Sequence, residues 1–446
     1  MLRRTALLAT LGLACAAPAA RAADHVPGEV VVRMAPDAPQ TVAANMAVKE
    51  HVAPRTKVVQ IRDGRTVREA IRDLERRPGV ERATPNVIAH TAYVPNDPGR
   101  KTAAGGWESL QWNFAGPFGV NAPAAWDNLR AAGHDGGSGV VVAVLDTGVA
   151  YTDRGGYRSP DLLPGTFVAG RDFVDGDRYP IDLNGHGTHV ASTIAEATDN
   201  GVGVTGLAYG ARIMPVRVLD RAGYGDTVAI SRGVRWAVKH GAQVINLSFE
   251  FGTAVRARQI PDLLAAFGYA RRHGVLVVAA SGNDKKDFLA YPARAHDVIS
   301  VGATTHNGCI ARYSNGGPGL DLVAPGGGRD KSIDDPNCHP LDSIRNIVQM
   351  TFDEDTPYQF ELLGGFRGTS MAAPHVSATA ALVIASGVLG PHPKPSQLED
   401  RLESTARDLG APGADNVYGA GLVDAAAATA KPDTTAPSVP PEQPQP

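Results

Sequence analysis

Two regimes of hydrophobic spacing divide the chain. In the first, Gly28-Glu29-Val30-Val31-Val32-Arg33-Met34 reads as a short strand, and Val67 to Arg76 places Val67, Ala70, Ile71 and Leu74 on one helical face. A second β-run, Val80 to Ala89, follows the turn at Pro78-Gly79. Strand, helix and strand predict a small α+β unit over residues 23–95. Between Val94 and Gly106, Pro95, Pro98, Gly99, Gly105 and Gly106 stand among polar residues, with Arg100-Lys101 open to cleavage. This predicts a linker, with 96–119 leading into a second domain.

From Val120 to about Ala430, β-runs alternate with helical segments: Val140 to Leu145, His189 to Ala197, Arg212 to Leu219, Ile230 to His240, Val244 to Leu247, Leu263 to His273 and Val275 to Ala280. The strands among them are short and nearly all apolar, as strands covered on both faces must be. The expected fold class is α/β, a doubly wound, mostly parallel sheet with helices on both faces over 120–430, preceded by the small α+β unit. Thr434 to Pro446 is mostly Pro, Gln, Thr and Ser, too poor in apolar side chains to order itself, and predicts a disordered tail over 431–446.

Composition narrows the function classes. With 446 residues, 43% of them hydrophobic and 20% charged, the chain can bury a large core without metals or disulfides. A formal net charge of -3 carries no basic field of the kind that attracts nucleic acid. Met1 to Ala22 opens with Arg3 and Arg4, runs apolar from Ala6 to Ala17 and ends in Ala20-Arg21-Ala22, the pattern of a signal peptide. That run is shorter than the about 20 residues a membrane helix needs, and no later segment is long and uncharged enough, so export without a membrane anchor is expected, to the periplasm or the medium. Beyond Cys15 in the leader, Cys309 and Cys338 remain, an even number in an oxidising compartment with a loop-like segment between them. They are a disulfide candidate, two buried thiols being the alternative.

Three segments carry candidate chemistry. Asp146 follows the apolar strand Val140 to Leu145 in Leu-Asp-Thr-Gly-Val, placing a carboxylate at the carboxyl end of a central strand, where α/β proteins build sites. Asn184-Gly185-His186-Gly187-Thr188-His189 sets a histidine at the mouth of a helix, with glycines that let a peptide approach the ring; His189 reads as a helix-packing residue more readily than as a metal partner. Gly368-Thr369-Ser370-Met371-Ala372-Ala373-Pro374 puts Ser370 at the start of an apolar helix running to about Ser386, whose free N–H groups favour negative charge beside the hydroxyl. Pro374 is expected to be tolerated within the first turn.

Together these segments resemble the subtilase family of serine proteases over Val120 to Ala430. The resemblance implies a secreted serine endopeptidase in which Asp146 orients His186, His186 takes the proton of Ser370, and Ser370 attacks the scissile carbonyl. It also implies that Asn283, in Ala279-Ala280-Ser281-Gly282-Asn283, donates to the oxyanion alongside the Ser370 N–H. Gly223-Tyr224-Gly225 and Ser248-Phe249-Glu250 match the family's substrate walls, which hold an extended peptide. Glu250 departs from the pattern, where the family has Gly. It narrows the pocket for the residue before the cut, attracts a basic side chain, or points into solvent.

The N-terminal unit resembles the inhibitor-like propeptide of many subtilases, in Gly28-Glu29-Val30-Val31-Val32 and Gly79-Val80-Glu81-Arg82-Ala83-Thr84-Pro85-Asn86, implying a zymogen inhibited by its own propeptide and cut near Val94 to Gly106. Protein or peptide substrates and a monomer are expected. No cofactor is required for the chemistry; structural calcium is common in the family, and Asp172, Asp175, Asp177, Asp199 and Asn200 offer oxygen ligands, or form a solvated acidic loop. The insertion Gly326 to Gly365 matches no family pattern. Three rivals stand against the protease reading. A silent binding protein would not need Asp146, His186, Asn283 and Ser370 together. An esterase would carry a Gly-x-Ser-x-Gly elbow, and an acid-acting relative would not use His186.

Overall fold

The computed structural model describes residues 25–39, 41, 45–87, 93–100, 105–153, 157–331, 338 and 343–431. The expected leader, and the tail from Thr434, lie outside them. The chain divides into two compact units, one ending at Ile88 and the other starting at Ala89.

The first unit contains β1 (His25–Met34), β2 (Met46–Ala53), β3 (Thr56–Ile61), α1 (Val67–Glu75) and β4 (Val80–Val87). The strands pair antiparallel in the order β2-β3-β1-β4. The reading of strand, helix and strand missed the β2–β3 hairpin, because β2 buries little more than Met46 and shows no apolar alternation. Helix α1 starts at a reciprocal cap, the Thr66 hydroxyl accepting from the Glu69 N–H and the Glu69 carboxylate from the Thr66 N–H. It lays Val67, Ala70 and Leu74 against Val30, Val32, Met34, Met46 and Val59.

In the second unit, α2 (Trp112–Ala115) and α3 (Ala122–Ala131) precede β5 (Val141–Asp146), the antiparallel pair β6 (Tyr151–Thr152) and β7 (Tyr157–Arg158), β8 (Arg171–Asp172), α4 (His186–Ala195), β9 (Arg212–Arg217) and α5 (Thr227–Lys239). There follow β10 (Val244–Leu247), α6 (Pro261–Arg272), β11 (Leu276–Ala280), β12 (Ile299–Thr304), β13 (Leu322–Pro325), the hairpin β14 (Ile347–Thr351) and β15 (Glu361–Phe366), α7 (Thr369–Ser386), α8 (Pro395–Ser404) and α9 (Ala425–Thr429). Seven strands make one parallel sheet in the order β13-β12-β11-β10-β5-β9-β8.

Apolar layers cover both faces of this sheet. Along β5, Val142 and Val144 face one layer while Ala143 and Leu145 face the other, and β11 divides in the same way. Helices α3, α4, α7, α8 and α9 fill the first layer; α5 and α6 fill the second. Each fully buried Val or Leu contributes roughly 1.5–3 kcal/mol of transfer free energy, so a two-faced apolar strand can sit only at the centre of such a sandwich. Helix α7 is buried around most of its circumference, as a helix without a polar face must be.

The expected boundary is corrected. Tyr93 and Pro95, expected in the first unit or at its edge, belong to the second: the Tyr93 ring packs edge-on to Trp126, and the Trp107 indole, fully buried, donates to the Pro95 carbonyl. The ordered domain begins well before Val120. The region from Gly326 to Gly365, which matched no family pattern, contributes the β14–β15 hairpin. Its strand β14 lies along α4, with the Met350 N–H donating to Glu196 Oε1 and Thr351 Oγ1 to the Gly185 carbonyl.

Cys309 and Cys338 are joined in a disulfide spanning 29 positions. Replacing both by serine should lower unfolding stability by about 3 kcal/mol on the chain-entropy account, measured by denaturant titration.

Candidate active site

Asp146 closes β5, paired with Arg217 at the end of β9 and one residue beyond the Leu145–Leu247 pair with β10. Its side chain is fully buried. Oδ1 accepts from the Thr147 N–H at 2.8 Å and from His186 Nδ1 at 2.7 Å, while Oδ2 is buried without a partner among the described residues. An anion with acceptor capacity left over favours a cation on the neighbouring ring. Burial pushes the His186 pKa down, but the charge and hydrogen bond of Asp146 more than reverse this and hold it above the ordinary 6.5. The proton stays on Nδ1, and Nε2 is left as the free nitrogen of a ring whose side chain is 24% exposed.

Asp182, not singled out in the sequence, ties this strand to this helix. Its Oδ1 accepts from Thr147 Oγ1 at 2.9 Å and from the N–H groups of Asn184 and Gly185, and its Oδ2 accepts from the N–H and hydroxyl of Thr188. The carboxylate thus caps α4, where the helix dipole favours negative charge. The legible signal was an Asp just ahead of Asn-Gly-His, the form of an Asx turn. The flanking glycines also allow close backbone approach, Gly187 to the end of β5 and Gly185 to Phe352. Gly185 has φ 99° and a Cβ on it would stand 2.1 Å from the Phe352 carbonyl; one on Gly187 would stand 2.1 Å from the Gly148 carbonyl.

Ser370 is the second residue of α7. The Thr369 N–H ahead of it donates to Asn283 Oδ1 at 2.9 Å, whereas the Ser370 N–H and hydroxyl have no hydrogen-bond partner among the described residues. Pro374 lies inside α7, not in its first turn. Lacking an N–H, it leaves the Ser370 carbonyl without its helical donor. Ser248 Oγ replaces that donor at 2.8 Å, itself accepting from Asn246 Nδ2, whose Oδ1 accepts from Ser377. Ser248, expected in a substrate wall, therefore uses its hydroxyl to support the turn that carries Ser370.

The other expected wall residues separate. Gly223, Tyr224 and Gly225 lie in the loop between β9 and α5, with Tyr224 strongly exposed. Phe249 packs on the second apolar layer. Glu250 does not point into solvent: its carboxylate turns back onto Asn283 and accepts from both the backbone N–H and Nδ2.

The acidic loops separate too. Asp172 and Asp175 bracket the guanidinium of Arg217 at 2.9 and 2.6 Å, which fills that place with an internal cation. Asp199 and Asn200 lie elsewhere, donating backbone N–H groups to Asp97, while Asn200 Nδ2 donates to Asp161. Burial pushes Asp161 up to about 7 and Glu196 well above 4.5, and Glu196 Oε2 is buried without a partner among the described residues. His189 stacks on Phe366 at 4.3 Å and bonds the Ile347 carbonyl through Nε2; burial lowers its pKa to about 3.

Residues 137–421 match the Subtilase family, and residues 14–86 the Fervidolysin N-terminal prodomain. The chain belongs to the subtilase family. The alkaline protease of Shouchella clausii is 38% identical over 338 residues, covering 76% of this chain and 74% of that one. Subtilisin Savinase of Lederbergia lenta is 38% identical over 322 residues, 72% of this chain and 99% of its own. A solved protease structure from Pseudoalteromonas arctica superposes with a TM-score of 0.60 at 33% identity, covering 76% of this chain and 99% of that one. This subtilase is a subtilisin-type serine peptidase with an N-terminal prodomain and the doubly wound α/β fold. Among its described residues no helix is long and apolar enough to cross a membrane.

The His186 ring, followed by NMR in Ser370→Ala protein, should titrate above 6.5, and its midpoint should fall in the Asp146→Asn variant, which lacks the charge that stabilises the imidazolium. A midpoint below 6.5 in both would show that burial alone sets its proton affinity.

Proposed function

We propose that this subtilase is an exported endopeptidase, made as a zymogen that its prodomain inhibits, in which Ser370, His186 and Asp146 form the catalytic triad and Asn283 the oxyanion donor. The observation that carries the reading is the short Asp146–His186 bond, joined by the start of α7, where the Ser370 hydroxyl and N–H have no partner among the described residues. His186 Nε2 takes the proton of Ser370 as Oγ bonds to the peptide carbonyl carbon. The carbonyl oxygen becomes an oxyanion, met by the Ser370 N–H and one hydrogen of Asn283 Nδ2. The imidazolium, stabilised by Asp146, returns its proton to the leaving amine as the C–N bond breaks, and water then cleaves the acyl-enzyme by the same route. Loss of one oxyanion donor costs about 2.7–4 kcal/mol, a figure drawn from subtilisin itself.

Hard divalent cations such as calcium are the group the family implies. The fit favours the neighbourhood of Asp97, Asp161, Glu196 and Asn200 over the loop of Asp172 and Asp175, since Glu196 and Asp161 are desolvated acids with capacity to spare, whereas Arg217 already neutralises the other pair. Bound there, a cation would supply charge compensation and no catalytic step.

Mass spectrometry of wild type and Ser370→Ala, each with denatured casein, tests the main reading. Wild type should lose its N-terminal unit near Val94 to Gly106 and fragment casein; Ser370→Ala should do neither. Survival of casein with both proteins intact would move the silent binding protein forward. For the cation, the sign follows from the raised carboxyls. Without it, Asp161 and Glu196 contribute full stability only below about pH 4, and that contribution is lost as pH rises through their folded pKa values. Chelation should therefore lower Tm more at pH 9 than at pH 5, and an equal drop at both would argue against these ligands.

A further inference from the structure

Glu250 stands three residues past the end of β10 and Asn283 three past the end of the neighbouring β11, so the parallel register carries both side chains to the same end of the sheet. The backbone around Glu250 is held from both sides. Phe249 and Phe251 pack edge to face at 6.3 Å over the second apolar layer, and the Phe251 N–H donates to the Tyr291 carbonyl at 2.7 Å. Little freedom is left for the carboxylate between them. Oε1 accepts from the Asn283 N–H at 2.9 Å and from Nδ2 at 3.1 Å, and Oε2 accepts from the same N–H at 3.1 Å.

The opposite end of the Asn283 amide is held as firmly. Oδ1 accepts from the N–H of Thr369 at 2.9 Å and from its hydroxyl at 3.2 Å. A flipped amide would set Oδ1 against the Glu250 carboxylate and Nδ2 against the Thr369 N–H, acceptor on acceptor and donor on donor. Only one orientation satisfies both neighbours. A Cβ on Gly282 would stand 2.5 Å from Glu250 Oε2, so the carboxylate and the glycine beside the oxyanion donor need each other.

Resting on the assignment of Asn283 as oxyanion donor, we propose that Glu250 is a positioning residue. It holds one Nδ2 hydrogen and the backbone N–H of Asn283, so that the second Nδ2 hydrogen is presented, already oriented, to the carbonyl oxygen under attack. Orientation supplied in the resting enzyme need not be gained in the transition state, so the effect falls on kcat rather than KM. Burial, opposed by these hydrogen bonds and reinforced by the exposed Asp284 carboxylate, raises the Glu250 pKa above 4.5.

The experiment is a double-mutant cycle on the mature enzyme, with peptide amide substrates that vary the residue before the cut. Glu250→Ala should lower kcat about 10- to 100-fold, the range for a hydrogen bond to a charged group, with KM within about twofold. Glu250→Gln, which keeps one acceptor, should recover most of that loss. In an Asn283→Ala background, Glu250→Ala should have no further effect on kcat. Additive losses in that background, an unchanged kcat, or a change confined to KM that tracks the size of the residue before the cut would overturn the proposal and make Glu250 a pocket wall. Serine-directed phosphonate labelling, retained by every Glu250 variant and absent from Ser370→Ala, tests the site itself. If Ser370→Ala still labels, the nucleophile assignment fails, and with it the proposal.

Discussion

The geometry of the candidate site depends on one buried carboxylate outside the proposed triad. Asp182 receives its hydrogen bonds from Thr147, just past Asp146, and from the start of α4, just around His186. An anion in that place is stabilised by the helix start and by the donors it gathers, and it can be satisfied only if β5 and α4 stand at one separation. Gly187 permits that separation sterically, Gly185 permits the approach of Phe352, and β14 holds α4 from another side through Gly185 and Glu196. The 2.7 Å bond between Asp146 and His186 is thus a consequence of backbone placement rather than of side-chain reach.

The helix that carries Ser370 shows the complementary arrangement. Pro374 removes a helical donor one turn beyond Ser370, and the polar chain Ser377, Asn246, Ser248 restores satisfaction from the side of β10. At the helix start, Asn283 takes the Thr369 N–H, and the following N–H has no partner among the described residues. Free donors at a helix N-terminus ordinarily turn to water; here a neighbouring strand end decides which of them is occupied. Fixed donors of this kind need no reorganisation when charge develops, the basis of electrostatic preorganisation.

Burial of acids recurs throughout, with a different compensation each time. Asp172 meets the internal cation Arg217, Asp182 a ring of N–H and hydroxyl donors, and Glu250 the two nitrogens of Asn283. Glu196 receives a single N–H, from Met350, and is the least compensated of them. A buried carboxylate costs several kcal/mol unless paired, so its partners indicate what each position does.

The doubly wound sheet was legible in the sequence because a strand buried on both faces leaves no choice but unbroken apolar runs, as in Val141–Leu145 and Leu276–Ala280. Asp146, His186, Asn283 and Ser370 could be singled out as candidates because each stands in a short motif whose neighbours serve backbone geometry. Edge hairpins were less so: β2 exposes nearly every side chain, and β14–β15 takes its stability from α4, far away in the chain. The direction of the Glu250 side chain and the rescue of the Ser370 carbonyl by Ser248 could not be read at all, and Asp182 showed only the local form of an Asx turn. Local sequence determines which residues can form a strand end or a helix start. Which hydrogen-bond partners meet there is decided only when the sheet brings the ends of β5, β10 and β11 side by side, because a hydrogen bond depends on distances between atoms that the chain itself leaves far apart.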